Sequence, residues 1–298
     1  MSANFINPPV VVGIDGSETA AEATRWAAVD AVHHRAPLHI VYGIAAPVDF
    51  GPNIAFSEID YDMYRQEGAA AVAAASEFAT AAAAPVGDLD ITTYVAEAPP
   101  IPVLLDRSKD ARLLVVGTRG LGAFRRGILG SVSTAVARHA HCPVAVIPEP
   151  ENYTPDRLLG PVLVGVDGST CSIHAIEVAF DEAAHRDVAV RAVLTWSEFN
   201  RYISRADMQK EAEKLLSESL AGYAEKYPDL EIQRVVAEDR PTRRLLDESG
   251  NAQLIVVGSH GRGGFAGMTL GSVSQAVLYA TDCPLIIARP QNSAAVSR

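Results

Sequence analysis

Short, almost wholly apolar runs alternate along the chain with longer stretches in which apolar residues recur every three to four positions. In the first half the runs lie near 10–14, 38–44, 90–96, 112–117 and 143–148, and helical spacing occupies 18–34, 60–83, 99–109 and 130–140. This alternation predicts a parallel sheet with crossover helices, because consecutive parallel strands need a connection that returns the chain to the same end of the sheet. Val10–Ile14 and Leu113–Val116 are the most continuously apolar runs, as expected of central strands covered on both faces. If the two are neighbours, the chain winds away from them in opposite directions and leaves a crevice between their carboxyl ends. Asp15 and Gly117 would then face each other there.

The pattern occurs twice. VVVGIDGS at 10–17 returns as VLVGVDGS at 162–169, LLVVGTRGLGAF at 113–124 as LIVVGSHGRGGF at 254–265, LGSVS at 129–133 as LGSVS at 270–274, and CPVAVI at 142–147 as CPLIIA at 283–288. The offset is 152 residues through LHIVYGI (38–44) and AVRAVLTW (189–196), but 141 from LDITTYVAEAPP (89–100) and LEIQRVVAEDRP (230–241) onward. The first copy therefore carries an insertion after its second strand, where Pro47, Gly51 and Pro52 indicate a surface loop. The chain is read as two tandem, doubly wound, five-stranded α/β domains, 1–150 and 158–298, joined through the proline-rich PEPENYTPDRLLGP.

Composition narrows the partners. A formal charge of −11 opposes general affinity for nucleic acid or an anionic membrane, so a phosphate ligand must be held by local geometry. The first residues carry no basic segment followed by an apolar one, and the alanine-rich stretch from Gly68 to Pro85 reads as a soluble helix; a cytoplasmic protein without membrane insertion is expected. Cys142, Cys171 and Cys283 make no even disulfide set, and Cys142 and Cys283, each before a proline, suit a packed core. His33, His34, His139 and His141 fall at helix ends, where solvation or capping is expected rather than a metal. The charged run 208–227 is read as one surface helix.

The chemistry concentrates in GTRGLGAFRRGILGSVS and its second copy. Glycine turns free backbone N–H groups, and the first turn of a following helix adds more with the positive end of the helix dipole behind them, which together favour an anion such as phosphate. Ser131 and Ser133 could cap that helix, donate to phosphate, or do both. No GxxxxGK[ST] motif occurs, and the GxGxxA formed by Gly261, Gly263 and Ala266 is broken by Arg125 in the first copy and follows the fourth strand rather than the first. Asp15 is unfavourable beside bare phosphate and points to ribose hydroxyls or Mg²⁺; capping of the first helix, by Asp15 or by Ser17, is the competing role.

These residues resemble the universal stress protein family, whose ATP-binding members carry Gly-x-x-Gly, nine residues, then Gly-Ser or Gly-Thr. The likeness covers 10–148 and 162–289, and both copies keep the motif, as Gly117, Gly120, Gly130, Ser131 and as Gly258, Gly261, Gly271, Ser272. It implies a Rossmann-like fold of the adenine nucleotide alpha hydrolase type and ATP, with or without Mg²⁺, in each domain. Asp15 and Asp167 would lie by the ribose, phosphates or metal, Val41 and Val193 by adenine, and Val132, Ser133, Val273 and Ser274 at the phosphate end. Gly13 and Gly165 precede the two aspartates, and Arg119 and Gly122 correspond to His260 and Gly263 in the phosphate loops. The extra arginines of the first loop, Arg119, Arg125 and Arg126, predict a weaker second site at low salt. The likeness also implies dimers through the last strands, Val144–Pro148 and Leu285–Arg289, within the chain or between chains, and protein partners of unknown identity. No other candidate base recurs in both halves, so a nucleotide-dependent stress-response binding protein is preferred; the alternative is a slow Mg-dependent ATPase using Asp15 and Asp167.

Overall fold

The computed structural model describes residues 7–44, 58–120, 129–149, 159–197, 204–263 and 269–289, with the side chains of 58–61 left aside. The insertion carrying Pro47, Gly51 and Pro52 lies outside the described residues, as does most of the proline-rich linker. The chain divides into two compact units, Met1–Glu149 and Pro150–Arg298.

The first unit runs β1 (Val10–Ile14), α1 (Glu18–His33), β2 (Leu38–Gly43), α2 (Glu58–Ala83), β3 (Ile91–Ala96), α3 (Pro100–Arg107), β4 (Leu113–Gly117), α4 (Ser131–His139) and β5 (Val144–Ile147). Its strands are parallel in the order β3-β2-β1-β4-β5, so β1 and β4 are neighbours, with Gly13 registered on Val116. The chain leaves β1 in one direction and β4 in the other, and the switch point falls between their carboxyl ends. The apolar runs that predicted these strands are buried: Val10, Val12, Leu114 and Val115 have no exposed surface. Ala23, Ala27 and Ala31 of α1 are equally covered; their small side chains let the helix approach the strands beneath it closely.

The second unit repeats this plan as β6 (Val162–Val166), α5 (Thr170–Arg186), β7 (Val190–Trp196), α6 (Arg205–Ser219), α7 (Tyr223–Lys226), β8 (Ile232–Glu238), α8 (Pro241–Ser249), β9 (Leu254–Gly258), α9 (Ser272–Ala280) and β10 (Leu285–Ala288). Its order is β8-β7-β6-β9-β10, again parallel. One expectation changes here. The stretch 208–227 is not one helix: α6 ends with Leu220 as its cap, and Gly222, at φ +81°, opens the separate turn α7. The left-handed conformation is nearly free for glycine. It turns the chain inward so that Tyr223 and Tyr227 pack their rings on the buried Phe180, at centroid distances of 4.6 and 5.7 Å.

The histidines at helix ends also divide. His34 is buried, and its Nδ1 lies 2.9 Å from the Asp30 carbonyl, so it finishes α1 from within. Cys142 and Cys283 are buried, and neither forms a disulfide among the described residues. Among the described residues no helix is long and apolar enough to cross a membrane.

Candidate functional site

Each switch point is built from the turn that follows the unit's first strand. Asp15 Oδ1 accepts the Ser17 N–H at 3.0 Å, and Ser17 Oγ accepts the Ala20 N–H at 3.2 Å as the N-cap of α1. The second unit copies this, with Asp167 Oδ1 accepting from Ser169 N–H at 2.9 Å and Ser169 Oγ from Ser172 N–H at 3.2 Å. Of the two candidate caps the serine fills the role, and the aspartate holds the turn. The glycine between them, Gly16 or Gly168, sits at φ +83° or +76°, where a side chain would be strained.

The glycine-rich segments meet these aspartates across the switch point. Asp167 Oδ2 accepts the Arg262 N–H at 3.0 Å, and a Cβ at Gly261 would fall 2.6 Å from the same oxygen. A Cβ at Gly120 would likewise collide with the Asp15 carboxylate. Gly117 and Gly258, at the strand ends, have no room either: a Cβ would come within 2.9 Å of the Thr19 carbonyl oxygen and 2.8 Å of the Cys171 backbone. Glycine is needed here because backbone packs on backbone and on carboxylate.

The helices that follow begin with glycine caps. Gly130 is the N-cap of α4 and Gly271 that of α9, neither with a side-chain cap, and both helices start at a serine. The Gly130 N–H donates to the Thr118 carbonyl at 2.8 Å, and the Gly271 N–H to the Ser259 carbonyl at 2.7 Å. Ser133 and Ser274 are buried, and their hydroxyls donate to the Gly117 and Gly258 carbonyls at 2.6 and 2.5 Å. The two serines of each copy therefore have different tasks: the third helical residue pins the helix to the strand end, while Ser131 or Ser272 stays exposed at the first turn.

In the second unit these parts enclose a cavity of about 400 Å³. Gly165, Asp167 and Val193 line it from the ends of β6 and β7; Gly258, His260, Gly261 and Gly263 from the glycine segment; and Gly271, Ser272, Val273 and Ser274 from the start of α9. The second-copy residues assigned to the nucleotide from the sequence thus line one cavity, while Ala266 lies outside the described residues. Among the further lining residues that escaped sequence reasoning are Trp196, Asp239, Pro241 and Leu245. Proline at the start of α8, directly after the third strand of the repeat, was the signal available for Pro241.

In the first unit Gly13 is registered with Val41, and Asp15, Gly117, Gly120, Gly130 and Ser133 are joined by the contacts above, with Ser131 and Val132 in the first turn of α4. Gly122, Arg125 and Arg126 lie outside the described residues. Arg119 forms an ion pair with Glu149 at 3.2 Å, whereas its counterpart His260 places Nδ1 3.1 Å from Ser259 Oγ. Beside Val41, the Tyr42 phenol is held above its ordinary range by burial, with the Glu67 and Asp15 carboxylates adding to the effect.

The sequence profile of the universal stress protein family matches residues 7–148 and 159–289. Universal stress protein Rv2005c of Mycobacterium tuberculosis is 44% identical over 284 residues, which cover 94% of this chain and 96% of that protein. Universal stress protein Rv2623 of the same species is 39% identical over 293 residues, covering 97% and 99%. Among solved structures, a universal stress protein from Archaeoglobus fulgidus superposes with a TM-score of 0.69 at 19% identity, over 95% of this chain and 96% of that one.

Proposed function

The chain belongs to the universal stress protein family, and from that premise we propose that it binds ATP, one molecule in each repeat, as a regulatory protein rather than as a robust enzyme. One observation carries this reading. In the second unit a glycine segment, a helix start without a side-chain cap and a carboxylate converge on a single cavity of about 400 Å³. Its walls differ in kind: Val193, Leu245 and Val257 are apolar and suit a base, while Asp167, Gly261 and Ser272 offer polar groups to a sugar and phosphates. Mostly apolar clefts of this size with a few placed polar groups are usual for nucleotide-sized ligands.

Gly165, Asp167 and Val193 are assigned to the base and ribose; Gly258, His260, Gly261, Gly263, Gly271, Ser272, Val273 and Ser274 to the phosphates. Gly13, Asp15, Val41, Gly117, Arg119, Gly120, Gly122 and Gly130 to Ser133 are assigned the same tasks in the first unit. Mg²⁺ fits as a companion of the phosphates, since it is commonly held by one or two carboxylates together with phosphate oxygens and water. Asp15 or Asp167 would be its protein ligand, and the ion would neutralise phosphate charge.

The competing reading is slow hydrolysis with the same aspartate as base. Both oxygens of Asp167 already accept backbone N–H groups, so the carboxylate is engaged in holding the turn after β6 and the glycine segment together. Mass spectrometry of protein purified under mild conditions and then denatured is expected to release ATP. Prolonged incubation with Mg·ATP should yield no ADP above a no-protein control; turnover lost in a double Asp15→Asn, Asp167→Asn variant that still binds ATP would overturn the binding-protein reading. Repeat limits of 1–150 and 158–298, a cytoplasmic site of action and a homodimer complete the proposal, the last checked by light scattering at several concentrations.

A further inference from the structure

A second cavity of about 400 Å³ adjoins the first in the same unit, between the end of β7 and α6. Asp167, Thr195, Trp196 and Arg262 line both cavities. The remaining walls are largely apolar, from Leu194 on β7 and from Met208, Ala212 and Leu215 on α6, with the exposed Glu211 at the rim. Leu194 and Ala212 are buried, and Met208 and Leu215 half-buried.

The partition is held in place. Trp196 Nε1 donates to Gln209 Oε1 at 2.7 Å, and Gln209 Nε2 donates to Glu213 Oε1 at 2.8 Å, which fixes the indole against α6. Arg262 is anchored through its own N–H to Asp167 Oδ2, and its guanidinium covers Gly168 so closely that a Cβ there would lie 2.5 Å from Nη2. A cation therefore stands at the junction between a compartment with nucleotide-like chemistry and one lined by aliphatic side chains.

Resting on the nucleotide reading above, we propose that the second unit accepts a nucleotide whose phosphate end carries an apolar chain, an acyl adenylate or a related acylated nucleotide. The acyl phosphate lies at Arg262 and the chain runs into the compartment under α6. Water gains few partners in an aliphatic cavity, whereas each methylene placed there raises affinity about fourfold. In the first repeat Ile44 occupies the place of Trp196, and Leu121 that of Arg262.

The test is calorimetric titration of the full-length protein with ATP and with two non-hydrolysable acyl adenylate analogues, acetyl- and decanoyl-sulfamoyl adenosine. The decanoyl compound is expected to bind at least tenfold more tightly than the acetyl one. Leu215→Trp, which fills the compartment, should abolish that difference and leave ATP affinity within twofold; Ala212→Leu serves if the tryptophan variant does not fold. Equal affinity of the two analogues in a protein that binds ATP overturns the inference alone, as does a chain-length effect unchanged in both variants. Failure of ATP and of both analogues to bind overturns the nucleotide reading together with it.

Discussion

Replacing Asp167 by Asn tests whether this carboxylate holds the empty site together before any ligand arrives. Its Oδ1 accepts from the Ser169 N–H at 2.9 Å and its Oδ2 from the Arg262 N–H at 3.0 Å. An asparagine offers one acceptor and one NH₂, so whichever way it turns, one backbone N–H faces another donor. Hydrogen bonds to a charged group contribute about 1.5–3 kcal/mol when well shielded, and an unmet donor adds its own penalty. Arg262 is exposed, so the lower end applies, giving a loss of about 2 kcal/mol once solvent screening is allowed for. For a domain of this size that shifts the thermal midpoint down by roughly 4–8 °C. Scanning calorimetry of the ligand-free, full-length chain should resolve the shift, and Asn should be no better tolerated than Ala. A ligand-free midpoint within about 1 °C of wild type, combined with weakened ATP binding, would refute the reasoning, because the carboxylate would then act on the ligand alone.

Four further outcomes follow from the packing. Gly261→Ala, whose Cβ would meet the Asp167 carboxylate at 2.6 Å, should weaken ATP binding at the second site by tenfold or more in titration, while Gly263→Ala, with nothing within 4 Å, should change it less than threefold. Phe180→Ala should lower stability by about 3–5 kcal/mol in denaturant unfolding, the usual loss for a large buried ring. The same variant should bring the Tyr223 phenol, pushed up to about 12 chiefly by burial, back toward its ordinary value in a spectrophotometric titration. His39 is held below its ordinary pKa, first by burial and then by Arg107, with Asp90 opposing. Its native form stays neutral where the unfolded chain already takes up a proton, so stability falls as pH drops through the unfolded value of about 6.5. A His39→Leu variant should show a shallower loss between pH 7.5 and 5.5 in urea unfolding.

Much of this was legible because the signals were redundant. Val10–Ile14 and Leu113–Val116 announced central strands through unbroken apolar character, and their adjacency then dictated the switch point, although Asp15 meets Gly120 there rather than the expected Gly117, which packs on Thr19. Duplication exposed which glycines matter, since backbone crowding constrains both copies alike. What the sequence concealed depends on tertiary placement. The periodicity of 208–227 runs through Gly222 without a break, yet the left-handed Gly222 turns the chain there and Tyr223 and Tyr227 pack on Phe180. Ser131 and Ser133 are alike in composition but not in task, because helical geometry sends one to the surface and the other onto the Gly117 carbonyl. Trp196 corresponds to Ile44 in the first copy, so the repeat could not point to it.

The hydroxyls of Ser133 and Ser274 bear on kinetics as well as on architecture. Each ties the first turn of a helix to the carbonyl at which a strand ends, within 2.6 Å in one unit and 2.5 Å in the other. The N–H groups of that turn are thereby aimed before an anion arrives, so little ordering remains to be done on association, and ordering is one of the larger costs of binding. Capture should be fast and governed by encounter, and differences in affinity between the two repeats should appear as differences in how long a nucleotide stays.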